Sequence, residues 1–361
     1  MTTVSLRLGG TAAVCVLLAG ASLSLSSCGH GKPDSPAAAH ATVGAASSAA
    51  SSAGSPAAPG GSAPSAAGAG PPLPGPAALL PFGGPAVAGE GTWRPAGRTV
   101  GGVRAVYETT LIPPGGTQPA GISWMDTRVL SARLYSGSKS PGGGPYRYTA
   151  PVAPAQARTL VAAFNGGFQM KDAHGGYYTE GRMVDPLRPG AASLVINADG
   201  SVTVGAWERD VAMTRNVVSV RQNLWPLVAG GQPTAQAASR DWQAWGSTCG
   251  ATSCQHSVPG IEHQWRSGAG VTASGALVYV TGPALAPLQL AQLLVRAGVV
   301  RGMQLDINPA WTVFVTYDPL AGGPAAPFNG SKLLPATTQG PSTFFQSWWA
   351  RDFITMSARS G

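Results

Sequence analysis

GVTASGALVYVTGPALAPLQLAQLLVRAGVVRGMQLDINPAWTVFVTY, residues 270–317, is the stretch that decides the fold, because strand, helix and strand signals follow one another closely in it. Its first part, residues 270–282, alternates apolar and polar positions on both sides of Ser274 and Gly275. Residues with small side chains, such as these two, suit a tight turn between two strands. We therefore predict a β-hairpin here.

A helix and two more strands are predicted after this hairpin. Pro287 suits the first turn of a helix, apolar residues recur at helical spacing after it, and Gly298 is a stop signal. The apolar run at residues 299–305 predicts a strand with Asp306 at its end, and residues 311–317 predict another. Strand, helix and strand in this order indicate a crossover unit, and ligands commonly bind beyond the carboxyl ends of such strands.

Strand signals dominate the rest of the folded part. Residues 194–207, LVINADGSVTVGAW, predict a second hairpin with Asp199 and Gly200 in its turn. We therefore expect an α+β fold with strand-rich mixed sheets and a few helices, in a single globular domain that follows a disordered tether.

The amino terminus has the features of an exported lipoprotein. Arg7 precedes an apolar stretch at residues 8–25, and two serines lead to Cys28. A positive region, an apolar core and small residues before the cut are typical of a secretory signal, and the cysteine resembles a bacterial lipobox. We expect residues 1–27 to be a signal peptide and Cys28 to be lipidated, with the remainder outside the cell membrane. An uncleaved membrane anchor is the alternative.

Composition separates a tether from a folded domain. Residues 28–90 consist mainly of Ala, Ser, Gly and Pro, and such a chain buries too little apolar surface to offset the entropy of ordering. We expect this segment to be a flexible tether. Residues 91–361 then form one domain, whose size fits a single large core.

The charge balance bears on possible partners. The chain has a formal net charge of +8, which would suit polyanions. Only 11% of its residues are charged, and they include no run of Lys or Arg. Nucleic-acid binding requires a clustered basic surface, so we do not expect a nucleic-acid partner.

Two cysteines remain beyond the signal peptide and the expected lipid site. Cys249 and Cys254 close a small loop, and in an exported protein we expect them to form a disulfide. A zinc site is the alternative, since His256 and His263 lie close in sequence.

Three short segments carry the candidate site residues. Asn165 precedes Gly166 and Gly167, Arg266 lies beside further glycines, and Asp306 ends an apolar run. Glycine lets backbone approach a ligand closely, so the three polar residues are candidates for one ligand-binding cleft. Each has a plainer interpretation: an ordinary turn for Asn165, a surface position for Arg266 and a turn-capping carboxylate for Asp306.

Taken in order, these segments resemble the phosphodiester glycosidase family. The Asn-Gly-Gly-Phe motif of that family matches residues 165–168, its arginine matches Arg266, and its Leu-Asp matches Leu305 and Asp306. Three further stretches resemble family segments: residues 190–207, 223–233 and 288–306.

The resemblance implies hydrolysis of the bond between a sugar C1 and a phosphate oxygen. It makes Asp306 the base or oxocarbenium stabiliser, Arg266 the phosphate clamp and Asn165 a hydrogen-bond partner, with Gly166 and Gly167 as the floor of the site. Ordinary glycosidases need a second carboxyl group to protonate the leaving oxygen. A phosphate oxygen is weakly basic, so one carboxylate and one arginine would suffice.

One loop departs from the family pattern. The family follows its aspartate with several glycines and a serine, whereas here the next residues are Ile307, Asn308, Pro309 and Ala310. Proline has no N–H to offer an anion, and the Asn308 amide is the expected substitute. The alternative is a catalytically altered lipoprotein of the same fold that binds glycan or another wall component.

Other side chains are candidates for supporting roles. A second carboxylate would come from Glu180, Asp185 or Glu262, and Trp311 is a candidate for stacking on a sugar. His174 precedes two glycines in a predicted loop and is a candidate ligand or acid.

The expected partners are a glycosyl phosphodiester or envelope glycan, and the membrane through the lipid at Cys28. We expect no cofactor and no metal, because the sequence has no dense cluster of His and Asp. A metal-dependent phosphodiesterase is a further alternative.

Overall fold

A computed structural model describes residues 68–84, 87–239, 242–246 and 262–359. Within these ranges the chain forms strands in three sheets and four α-helices. The strands are β1 (Arg94–Val100), β2 (Val103–Leu111), β3 (Ala120–Met125), β4 (Leu130–Tyr135), β5 (Leu160–Asn165), β6 (Tyr177–Thr179), β7 (Arg182–Asp185), β8 (Ala192–Asn197), β9 (Val202–Ala206), β10 (Val217–Gln222), β11 (Pro226–Ala229), β12 (Gln232–Pro233), β13 (Gln264–Thr272), β14 (Leu277–Leu285), β15 (Val299–Ile307), β16 (Phe314–Tyr317), β17 (Gly330–Lys332) and β18 (Phe353–Ala358). The helices are α1 (Pro154–Ala157), α2 (Met170–Ala173), α3 (Ala235–Ala238) and α4 (Pro287–Arg296).

The largest sheet has eight strands in the order β1-β2-β3-β14-β13-β15-β11-β12. Strands β13 and β14 form the predicted hairpin, in which Gly275 takes a φ of 92°. Strand β13 is antiparallel to both β14 and β15, so β14 and β15 run in the same direction. Helix α4 connects these two strands, which confirms the predicted crossover unit.

Two five-stranded sheets complete the fold. Their orders are β17-β16-β5-β18-β4 and β7-β6-β10-β8-β9. The predicted hairpin at residues 194–207 is confirmed as β8 and β9, and Gly200 in its turn has a φ of 77°. The expected strand-rich α+β fold is therefore confirmed. All the neighbouring pairs among the described strands are antiparallel.

The hydrophobic core lies where the three sheets meet. Each sheet contributes buried apolar residues to it, for example Leu305 from β15, Phe164 from β5 and Leu194 from β8. Helix α4 instead covers the other face of the eight-stranded sheet, where Leu290 and Leu294 belong to a second apolar cluster. Apolar residues at helical spacing thus bury one face of α4, as the sequence predicts.

The strand bounds around Asp306 differ from the prediction. Strand β15 continues to Ile307, one residue beyond Asp306, and β16 begins at Phe314 rather than at residue 311. The intervening chain turns at Asn308, whose φ is 78° and whose carbonyl oxygen accepts the Trp311 N–H at 3.0 Å. Trp311 therefore lies in a turn.

Part of the expected tether packs on the domain. Leu73 is buried in the apolar cluster beneath α4, and its N–H donates to Oδ2 of Asp126 at 2.8 Å. The Leu79 N–H donates to the Gly91 carbonyl oxygen at 2.9 Å. The packed chain therefore begins before the expected boundary at residue 90, because apolar residues interrupt the small-residue composition.

Several predicted features lie outside the described residues. They are the signal peptide at residues 1–27, Cys28, most of the tether, Cys249 and Cys254, and the alternative zinc ligand His256. In the part of the chain that is described, no helix has the length and apolar character needed to cross a membrane.

Candidate functional site

A β-bulge places Asp306 at the end of strand β15. Arg266 pairs with Ile307 and Gly268 pairs with Gln304, so β15 has one more residue than β13 between these two positions. Bulges redirect side chains and are common beside active sites. Ser267 secures this one, since its Oγ accepts the Asp306 N–H and donates to the Asp306 carbonyl oxygen, both at 3.1 Å.

The Asp306 carboxylate is buried beside a guanidinium group. Its Oδ1 accepts the Ile307 N–H at 2.8 Å, and its Oδ2 accepts a hydrogen bond from Nη2 of Arg351. Burial raises the pKa of Asp306 to about 7, while the positive charge of Arg351 acts in the opposite direction. A carboxyl group with this pKa exchanges protons near neutral pH, as a catalytic group requires.

Asn165 supports the bulge from strand β5. Its Nδ2 donates to Oγ of Ser267 at 3.0 Å and to the Gly166 carbonyl oxygen at 2.8 Å. Its Oδ1 accepts the Tyr279 hydroxyl at 2.7 Å and the Val313 N–H at 3.1 Å. The predicted convergence of the Asn165, Arg266 and Asp306 segments is therefore observed. The amide of Asn165 is fully engaged with protein, however, so it holds the site in place and is not available to a ligand.

Arg266 does not reach the ligand-binding space. Its side chain is fully buried, and each of its five N–H groups has a protein acceptor. Nε donates to the Leu285 carbonyl oxygen at 2.8 Å, and Nη1 donates to the Trp245 carbonyl oxygen at 2.9 Å and to Gln304 Oε1 at 3.0 Å. This geometry contradicts the predicted phosphate clamp. Arg266 instead holds the segment around Trp245.

Arg351, and not the predicted Arg266, is the arginine that lies beside Asp306. It precedes strand β18, and its Nη2 donates to Asp306 and, at 3.0 Å, to the Gly167 carbonyl oxygen. Its Cζ lies 5.1 Å from the ring centroid of Trp311. Its Nε is buried without an acceptor among the described residues. A buried donor without an acceptor is uncommon and calls for an explanation. We call Asp306 and Arg351 the open ion pair.

A second buried ion pair lies beneath the Asn165–Gly167 backbone. Arg221 Nε donates to Oδ2 of Asp352 at 2.8 Å, and both side chains are completely buried. A Cβ on Gly166 would lie 2.0 Å from Oδ2 of Asp352, and one on Gly167 would lie 2.9 Å from Cζ of Arg221. The two glycines are therefore required by packing over this pair, which we call the sealed ion pair, and not as the floor of a ligand site.

The open ion pair lies on the wall of a cavity of about 460 Å³. The cavity is lined by Phe168, Gln169, Lys171, Asp172, His174, Ala244, Gly246, Asp306, Ile307, Asn308, Trp311 and Arg351. Three of the predicted site residues line this cavity: Asp306, Asn308 and Trp311. The other four are not lining residues: Asn165, Gly166, Gly167 and Arg266. We call this space the Asp306 cavity.

The three candidates for a second carboxylate do not line the Asp306 cavity. Glu180 accepts the N–H groups of Arg147 and Tyr148, and Glu262 lies 3.5 Å from His263. Asp185 also lies outside the lining set, whereas Asp172 of helix α2 lines the cavity.

Asn308 and His174 line the same cavity, as their candidate roles require. Asn308 Oδ1 accepts the Ala310 N–H at 2.9 Å, which fixes the turn. Its Nδ2 makes no hydrogen bond to any described residue and is the part of the amide that a ligand can use. His174 takes a φ of 49°, and its ring stacks on Trp225 with 5.8 Å between centroids.

The described residues include no group of three or more His, Cys, Asp or Glu side chains placed to hold a metal ion. The chemistry that these residues do bring together is a carboxylate with a raised pKa, a guanidinium with unused donors, and an indole ring. Such a combination suits a substrate that carries both a sugar and an anion.

Comparisons with known proteins give distant structural resemblances. No family model and no curated protein matches the chain. One similar solved structure is the catalytic domain of zebrafish N-acetylglucosamine-1-phosphodiester alpha-N-acetylglucosaminidase, auto-inhibited by its pro-peptide, at 16% identity over 74% of this chain and 88% of that chain, with a TM-score of 0.43. A hypothetical protein from Synechocystis shares 12% identity over 74% of this chain and 64% of that chain, with a TM-score of 0.38. A putative exported protein from Burkholderia pseudomallei shares 13% identity over 67% of this chain and 74% of that chain, with a TM-score of 0.34.

Proposed function

We propose that this protein hydrolyses glycosyl phosphodiesters by cleaving the bond between the sugar C1 and the phosphate oxygen. The observation that carries the proposal is the open ion pair, in which a carboxylate and an arginine share the wall of one cavity. The resemblance of the Asn-Gly-Gly, Arg and Leu-Asp segments to the phosphodiester glycosidase family supports the same substrate class.

In this reaction the sugar lies against Asp306 and the phosphate lies against Arg351. As the bond between C1 and oxygen lengthens, positive charge develops on the sugar and is stabilised by the Asp306 carboxylate. Negative charge develops on the phosphate, and the guanidinium donors of Arg351 stabilise it through charge-assisted hydrogen bonds.

Water completes the hydrolysis at C1. Its oxygen bonds to C1, its proton passes to the Asp306 carboxylate, and the phosphate monoester departs with the electron pair of the broken bond. The leaving oxygen is weakly basic, since the second ionisation of a phosphate monoester has a pKa of about 6. A separate proton donor therefore contributes little, and Asp172 is not needed as a general acid.

The test uses sugar-1-phosphodiesters with a p-nitrophenyl group on the phosphate. Cleavage between the sugar and the phosphorus releases p-nitrophenyl phosphate, which becomes coloured only after a phosphatase is added. In ¹⁸O-labelled water, cleavage at C1 leaves this product unlabelled, whereas cleavage at phosphorus labels it. Cleavage on the other side of phosphorus gives colour directly. We expect colour that depends on phosphatase, and a loss of roughly 10³-fold in kcat for Asp306→Asn.

Three outcomes would contradict the proposal. Direct colour would indicate a phosphodiesterase, and sensitivity to chelators would indicate one that depends on a metal. Tight binding of envelope glycan with no release of either product would indicate a binding protein of the same fold.

We also propose that the hydrolase is held at the outer face of the cell membrane by a lipid on Cys28. The sequence pattern before Cys28 supports this placement. Cells fed an alkyne-bearing fatty acid should yield labelled protein, and Cys28→Ala should abolish the label. Equal labelling of the two forms would contradict the proposal.

A further inference from the structure

A second cavity of about 450 Å³ adjoins the Asp306 cavity. Its lining residues are Lys139, Ser140, Pro141, Gln169, Met170, Lys171, Trp311, Ala350 and Arg351. Gln169, Lys171, Trp311 and Arg351 line both spaces. A ligand that contacts Arg351 can therefore extend from one cavity into the other.

The two cavities differ in charge. Asp172 and Asp306 line the first cavity, and neither lines the second. The charged residues of the second cavity are Lys139, Lys171 and Arg351, all of them basic. We call it the basic cavity. Of these charges only that of Arg351 is paired with a carboxylate of the described residues, at Asp306, and no described carboxylate lines the basic cavity itself, so its field favours an anion.

The backbone around Lys139 is fixed against the segment that carries Arg351. The N–H groups of Lys139 and Ser140 both donate to the Ala350 carbonyl oxygen, at 3.2 and 3.0 Å, and the Ser138 N–H donates to the Trp349 carbonyl oxygen at 2.9 Å. A Cβ on Gly137 would lie 2.4 Å from the Ala350 carbonyl oxygen, so this close approach requires glycine. Lys139 is thus held beside Arg351 by main-chain contacts.

A polar group without a protein partner lies in the same wall. Ser140 is 5% exposed, and its Oγ makes no hydrogen bond to the residues that the structure describes. Buried hydroxyl groups normally have a partner. The wall thus contains three cations, which are the donors that an oxyanion requires, beside a hydroxyl group whose hydrogen-bonding capacity is unused by the described residues.

We propose that the basic cavity binds an oxyanion on the leaving portion of the substrate, so that the preferred substrates are glycosyl phosphodiesters whose aglycone carries its own phosphate or carboxylate. This inference rests on the proposed function, and it names the class of aglycone. The scissile phosphate lies at Arg351, where the two cavities meet, and the second anion lies beside Lys139. A neutral aglycone forms no ion pair with Lys139.

The first test compares three phosphodiesters of one sugar, with glycerol, glycerol phosphate or glycerate as the aglycone. We expect both charged aglycones to lower KM about tenfold relative to glycerol, through charge-assisted hydrogen bonds, with little change in kcat. The ratio of the two charged substrates distinguishes phosphate from carboxylate. Equal KM values for all three substrates would overturn the inference.

Variants identify the residue that confers the preference. In Lys139→Ala the preference for a charged aglycone should fall about tenfold. Arg215→Ala is the matched control, because Arg215 is an exposed cation that lines neither cavity, and it should keep the wild-type preference. An equal fall in both variants would show that net charge alone is responsible and would overturn the assignment to the basic cavity.

Direct binding separates this inference from the proposed hydrolysis. Calorimetry with glycerol phosphate as the probe should show binding to the wild-type protein and at least tenfold weaker binding to Lys139→Ala. If no phosphodiester is hydrolysed but Lys139→Ala binds glycerol phosphate more weakly than the wild type, the basic cavity is an anion site and the proposed hydrolysis is wrong. If the two proteins bind the probe equally, or neither binds it, the basic cavity is not an anion site.

Discussion

Arg351 and Asp352 are neighbours in the sequence, yet each belongs to a different buried ion pair. In the sealed ion pair, Asp352 and Arg221 are completely buried, and Arg221 also donates to the carbonyl oxygens of Phe168 and Gln222. In the open ion pair, Arg351 and Asp306 line a cavity, and Nε of Arg351 has no acceptor among the described residues. Both pairs consist of one arginine and one aspartate, and they differ in whether every buried N–H group of the arginine has an acceptor.

The difference separates a structural role from a chemical one. The sealed pair packs against Gly166 and Gly167 and so fixes the backbone that follows Asn165. Arg351 donates a hydrogen bond to this backbone, at the Gly167 carbonyl oxygen. The open pair keeps a carboxylate and a guanidinium at the cavity wall. The two pairs also interact, since Asp352 raises the pKa of Asp306 and Arg221 lowers it, both less than burial does.

Breaking the sealed pair should give the largest effect. Asp352→Asn leaves the guanidinium of Arg221 buried without a counter-charge, and we expect the free energy of unfolding to fall by about 3–5 kcal/mol. Chemical denaturation measures this loss. Asp318→Asn is the matched control, because Asp318 pairs with Arg104 at the surface, where a pair contributes about 0–1 kcal/mol. Similar losses in the two variants would contradict the distinction.

Altering the open pair should affect catalysis more than folding. Arg351→Lys keeps the charge but removes the planar group of donors, and we expect kcat/KM on a sugar phosphodiester to fall about 10²-fold. Arg266→Lys, by contrast, alters a guanidinium bonded only to protein acceptors, and its main effect should be on the denaturation midpoint. If Arg266→Lys lost more activity than Arg351→Lys with both proteins folded, Arg351 would not be the phosphate clamp.

A methyl group above the sealed pair tests the packing of the glycine segment. Gly167→Ala places a Cβ within 2.9 Å of Arg221, and overpacking of this kind costs about 1–3 kcal/mol of stability. Gly75→Ala is the control, since its Cβ would lie 3.8 Å from the nearest atoms, at ordinary contact distance. An unchanged midpoint for Gly167→Ala would show that this segment has room to move.

The pH profile gives the smallest of the expected effects. Burial raises the pKa of Asp306 to about 7, and the proposed reaction uses the ionised carboxylate. Activity should therefore rise with pH up to about 7, and kcat/KM should fall about tenfold for each pH unit below that value. His174 lines the same cavity, so His174→Gln is the control and should keep this acid limb. Loss of the limb in that variant would assign it to His174.

Sequence reasoning found the fold and the position of the carboxylate because both depend on local patterns. Apolar periodicity predicted the β13–β14 hairpin, α4 and β15, and the end of the apolar run at Leu305 predicted where Asp306 lies. The rule that a polar residue at the end of an apolar run marks a site did not select Arg351, because Arg351 precedes strand β18 and does not follow it. The sequence analysis therefore considered only Arg266 for the phosphate-binding role.

Contacts between residues distant in sequence decide which arginine faces the cavity. Arg266 is fully engaged only because the carbonyl oxygens of Trp245 and Leu285 converge on it. The prediction that Gly166 and Gly167 form the floor of the site was wrong for the same reason. Gly166 is required because a Cβ there would collide with Asp352, which is distant in sequence. Composition also placed the tether boundary too late, because the burial of Leu73 depends on the shape of the folded surface.

The central claim is that the open pair binds the substrate anion and the sealed pair does not. Its most direct test is NMR of the arginine Nε–H groups, assigned through Arg351→Lys and Arg221→Lys, during titration with hexose-1-phosphates. The account predicts that the Arg351 resonance shifts in a saturable manner and that the Arg221 resonance stays in place. A stationary Arg351 resonance with every phosphate tested, or equal shifts of both resonances, would contradict it.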